Sequence, residues 1–121
     1  MTDGVTDGSS DSAALARELD RVADRLRVIS PRYAARDTPG SAAALDGVRA
    51  AVQRLADLAA DAEGVPRRSV PRLAPYALAD QVLVLGHDLL AAAGPHPERS
   101  TPADAALSAG HALLVELRRA L

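Results

Sequence analysis

The chain of 121 residues contains no cysteine, no phenylalanine, no tryptophan and no lysine. Without cysteine there is no disulfide framework, no thiolate nucleophile and no cysteine-type zinc site. With two tyrosines as the whole aromatic content, the core has to be assembled from Leu, Val and Ala. β-Branched residues are few, and Ala and Leu head the helix propensity scale, so the expected fold is all-α. No apolar run approaches the roughly 18 residues of a membrane span. A net charge of −2 argues against a dedicated nucleic-acid binder. All fourteen cations are arginine, a bias that fits the codon usage of a GC-rich genome. The opening MTDGVTDGSSDS is acidic and polar, unlike a secretory leader, and the expected compartment is the cytoplasm.

What the chain has is apolar periodicity. Residues 1–10 lack it and are expected to form a disordered acidic tail, followed by one domain over 11–121. Leu15, Leu19, Val22, Leu26 and Ile29 then repeat at helical spacing and predict a helix over about 12–29. Its remaining faces carry Arg17, Glu18, Asp20, Arg21, Asp24, Arg25 and Arg27, a solvated surface of alternating sign. SPRYAARDTPGS interrupts the pattern. A second helix, about 41–62, places Leu45, Val48, Val52, Leu55, Ala59 and Ala62 on its inner stripe. EGVPRRSVPRLAP is the next connector, stiffened by three prolines. A third helix spans about 75–93. The fourth, about 102–121, opens on Thr101-Pro102-Ala103-Asp104, an N-cap, a first-turn proline and an acid. Four such helices predict a single-domain up-down-up-down antiparallel four-helix bundle.

The third helix is apolar on nearly every side. In VLVLGHDLLAAAG, residues 82–94, eight of the first eleven residues are apolar. Such a helix is either the most enclosed of the four or an association face. Asp80, Val84, His87 and Ala91 fall on its outer side and are the candidate interface of a homodimer. The stretch ADQVLVLGHDLL at 79–90 also aligns with ADAALSAGHALL at 103–114, sharing the Gly-His pair. In an antiparallel hairpin, Gly86 and Gly110 lie level. The expectation is that the third and fourth helices cross there, with His87 and His111 beside the crossing.

The two histidines are the residues with the most chemistry. Imidazole ligates metals, but three or four convergent donors are required. The Glu-x-x-His pairs of di-metal bundles are missing, so His87 and His111 are only weak metal candidates and no cofactor is expected. A helical bundle with a mid-helix histidine resembles, in outline, the histidine phosphotransfer domains, whose motif is similar to H-x-L-K-G followed by small residues. HDLLAAAG keeps His87, Leu89, Ala92 and Ala93. It departs at Leu90, where the resemblance asks for a cation, and at Ala91, where it asks for glycine. The resemblance implies a phosphoryl-carrying role for His87.

Arg67, Arg68 and Arg72 in the second connector are expected at the same end as Arg118 and Arg119. This cluster is either neutralised by the acidic tail or a docking patch for an acidic partner. Tyr33 is expected to anchor the first connector, and Tyr76 to sit at the edge of the core. No nucleophile elbow, phosphate loop or dinucleotide motif is present. The sequence therefore predicts a non-enzymatic interaction module, accessory or regulatory and self-associating through the third helix, with a protein partner rather than nucleic acid or membrane. The alternative is a phosphotransfer-like or ligand-binding bundle centred on His87 and His111.

Overall fold

A computed structural model describes residues 7–93 and 101–121, with side chains over 11–93 and 103–121. Four helices make up the described fold: α1 (Asp7–Arg36), α2 (Pro39–Glu63), α3 (Leu78–Ala92) and α4 (Thr101–Ala120), with a 3₁₀ turn, Pro75–Ala77, leading into α3. None of them is long and apolar enough to cross a membrane. The helix seams read from the periodicity are the core. Leu15, Leu19, Val22, Leu26, Val48, Val52, Leu55, Leu78, Val82, Leu89, Leu107 and Leu114 are all essentially sealed from solvent.

Two boundaries differ from expectation. α1 begins at Asp7, within the segment expected to be disordered, and residues 1–6 lie outside the described residues. It also runs through Pro31 to Arg36. That proline removes one helical hydrogen bond, yet the added turns seat Tyr33 against the core. The first connector thus shrinks to Asp37 and Thr38. Asp37 turns the chain at φ 48°, a left-handed conformation that Asp tolerates better than most residues. The Thr38 hydroxyl accepts from the Ser41 amide at 3.1 Å, and Pro39 fills the first turn, so Thr38-Pro39 starts a helix rather than breaking one.

The second connector changes the topology. α2 ends on Gly64 at φ 73°, and the Val65 amide folds back to the Ala60 carbonyl at 3.0 Å. From there the proline-rich strand runs back along α2. Gln53 holds it with both ends of its amide, donating to the Arg68 carbonyl at 2.9 Å and accepting from the Val70 amide at 3.0 Å. Arg49 donates to the Leu73 carbonyl at 2.9 Å, and Gln81 of α3 donates to Pro71 at 3.0 Å. The connector therefore delivers α3 to the end where α2 began, and α3 runs parallel to α2.

Other contacts fix the remaining directions. Leu19 lies against Gly86, and Arg27 reaches Asp80 at 3.9 Å, so α1 and α3 are antiparallel. Leu15 lies near Gly110 and Arg118 pairs with Glu18, so α4 runs with α1. The order of directions is up-down-down-up, not the alternating order expected. Around the bundle the helices follow α1, α3, α2, α4, leaving the α1/α2 and α3/α4 pairs on the diagonals. The greasy third helix is explained by this arrangement: α1, α2 and the returning connector enclose it on three sides.

Candidate functional site

The outer side of α3 is narrow. Asp80, Val84, His87 and Ala91, with Asp88, form one exposed stripe at spacings of four and three residues. Val84 is 60% exposed, although its neighbours Leu83 and Leu85 are half-buried. Beside it runs the returning connector, tied to α3 by the Gln81–Pro71 hydrogen bond at 3.0 Å. A groove of about 320 Å³ opens there, lined by Val70, Pro71, Leu73, Ala77, Val84 and Leu85, with Asp80 and Gln81 at its polar edge. Tyr76, just before α3, is 82% exposed rather than tucked into the core edge. An exposed valine and an apolar groove therefore share one face.

The two glycines do not mark one crossing. α3 and α4 sit on a diagonal, and each glycine receives a leucine side chain instead. A Cβ on Gly86 would fall 2.5 Å from Leu19 Cδ2 and 3.0 Å from Leu19 Cγ. At Gly110 it would fall 2.6 Å from Leu89 Cδ2, with Leu15 carbons at ordinary contact distance. The glycines are thus notches for leucines of α1 and α3. His87 and His111 separate accordingly. His87 is exposed on the α3 stripe, whereas His111 is half-buried on α4 near Glu18. Among the described residues no three His, Asp or Glu side chains converge on a point that could hold a metal ion.

The five arginines of the expected docking patch are dispersed. Arg67 binds Asp61 through two hydrogen bonds, at 3.0 and 2.7 Å. Arg72 lies 4.0 Å from Asp46, some fifteen residues and about 22 Å away along α2. Arg118 pairs with Glu18, while Arg68 and Arg119 are exposed. The reversal of the connector is the cause, because it spreads residues 64–77 along α2 instead of gathering them at one end.

Glu18 is the group that sequence reasoning placed wrongly. It was assigned to the solvated face, yet it is 2% exposed at the α1/α4 seam. The Arg118 guanidinium, hydrogen-bonded to it, holds its carboxyl below the ordinary carboxylate range. Burial pushes the other way, and the charges of Arg118, Arg21 and His111 add to the lowering. The signal was present: Glu18 follows Leu15 by three residues and precedes Val22 by four, so it lies on the seam itself. Compared with known protein families, curated proteins and solved structures, the chain matches none.

Proposed function

We propose that this chain is a non-enzymatic interaction module, accessory or regulatory, that self-associates through the face shared by α3 and the returning connector. The observation that carries the proposal is Val84, a largely exposed valine on the rim of an apolar groove. A two-fold pairing lets each copy offer both parts, with Val84 of one seated in the groove beside Pro71, Leu73 and Ala77 of the other. Exposed apolar surface of this kind, rimmed by polar groups, is characteristic of association sites. Sedimentation velocity at micromolar concentration tests it. The expected species is about twice the 12.5 kDa chain, and Val84→Glu shifts it to monomer with an unchanged helical spectrum. A wild-type monomer at high concentration contradicts the proposal.

A second reading, phosphoryl carriage, is favoured by the exposure of His87. Incubation with phosphoramidate would then transfer its phosphoryl group to a ring nitrogen and release ammonia. The expected adduct is acid-labile and absent from His87→Gln. Modification that survives in His87→Gln removes this reading.

A further inference from the structure

The outer surface of α1 carries a second feature, independent of α3. Arg17, Arg21, Arg25, Arg32 and Arg36 are all exposed. At 3.6 residues per turn they fall within an arc of about 100°, forming one stripe that is roughly 28 Å long. Val28 sits within the same arc and is 49% exposed. Acids of α1 border the stripe but are already engaged. Glu18 is buried between Arg118 and Arg21, the latter at 3.5 Å, and Asp24, beside the line of Arg17, is paired with Arg27 at 3.0 Å. Arg27 also reaches across to Asp80 of α3, whereas Arg25 donates to the Leu121 backbone oxygen on the α4 side at 3.1 Å. The stripe therefore overlies the α1/α4 edge, away from the face around Val84. Arg17, Arg32 and Arg36 pair with no acid among the described residues.

We propose that this stripe docks an acidic α-helix of a protein partner. Arg17, Arg21 and Arg25 recur every four residues, as do Arg32 and Arg36, which spaces the charges by about 6 Å along the axis. Carboxylates repeating every four residues on a facing helix have the same spacing, and the guanidinium fork matches a carboxylate through two hydrogen bonds. Val28, in the gap between the two runs, supplies an apolar contact that a phosphate backbone would not use. The stripe holds no aromatic residue on which a base could stack. The other large aliphatic side chains of α1, Leu15, Leu19, Val22, Leu26 and Ile29, are committed to the core, which leaves too little to insert into a lipid surface.

The test uses the full chain and a labelled synthetic helix. The peptide carries Glu at positions i, i+4, i+8, i+15 and i+19 and Leu at i+11, facing Val28. Fluorescence anisotropy should show binding that weakens about ten-fold as salt rises from about 0.05 to about 0.3 M, because exposed charges are screened. The variant Arg17→Gln/Arg32→Gln/Arg36→Gln should lose at least about ten-fold in affinity, as expected for removing half or more of the free charges of a steering patch. A control, Arg54→Gln/Arg68→Gln/Arg72→Gln, removes the same net charge elsewhere and should stay within about two-fold of wild type. Equal losses in both variants would reduce the effect to net charge and overturn the proposal. So would tighter binding to a labelled DNA duplex of the same length, or no binding to the peptide at low salt.

Discussion

At the scale of single residues, the fold turns on groups that are small or buried. Gly86 is a notch for Leu19, and filling it forces a sealed leucine to move. Alanine there gains about 1 kcal/mol in helix propensity, but overpacking a tight core costs about 1–3 kcal/mol. Gly86→Ala is therefore expected to lose about 1 kcal/mol net in urea unfolding. Gly110→Ala should come out near neutral, because one terminal methyl of Leu89 is the main obstacle. A Gly86→Ala variant with a raised midpoint would contradict the packing at this site. Glu18 gives a pH dependence. Its folded carboxyl titrates below its ordinary value of 4.5, so its pair with Arg118 contributes fully above that value. The contribution is lost as pH falls through the lower, folded value. Glu18→Gln is expected to flatten the acid limb of stability against pH. Arg118→Ala should destabilise more than the Glu18→Leu/Arg118→Leu double variant, since it leaves a buried carboxylate with only the exposed Arg21 at 3.5 Å to compensate it. Unfolding midpoints across the acid range check both.

At the scale of elements, much of the fold was legible. The apolar periods located the four helices, and all five seam residues from Leu15 to Ile29 are buried. The ends were harder, for a local reason. Thr101-Pro102 was recognised as a helix start, while the same pair at Thr38-Pro39 was taken for part of a breaker because Pro31 and Gly40 flank it. Thr38→Ala is expected to cost about 1 kcal/mol as a lost N-cap. The connector from 64 to 77 was legible only as a non-helical stretch. Its path depends on Gln53, Arg49 and Gln81, whose polar side chains look like surface residues in sequence. Gln53→Ala should remove the two hydrogen bonds to the connector, worth about 1–3 kcal/mol together. Hydrogen exchange checks this directly: the Val70 amide is protected in the wild type and exchanges faster in the variant. An unprotected Val70 amide in the wild type would mean that Gln53 does not hold the strand.

At the scale of the whole molecule, the candidate site was half legible. The outer stripe of Asp80, Val84, His87 and Ala91 followed from helical phase. The groove beside it did not, because it is made by a connector that doubles back. The expected meeting of Gly86 with Gly110, and the gathering of Arg67, Arg68, Arg72, Arg118 and Arg119, both assumed that successive helices alternate in direction. One reversal undoes both. The same reversal places the connector against α3 and leaves the α1 stripe over the α4 edge, so the direction of α3 is the claim on which both surfaces rest. Double electron–electron resonance on spin labels at Asp46 and Asp80, and separately at Asp46 and Asp88, measures that direction. Positions 80 and 88 differ by about 12 Å along the α3 axis. With α3 parallel to α2, the 46–80 distance is the shorter of the two. A shorter 46–88 distance would return α3 to the antiparallel orientation and contradict the account.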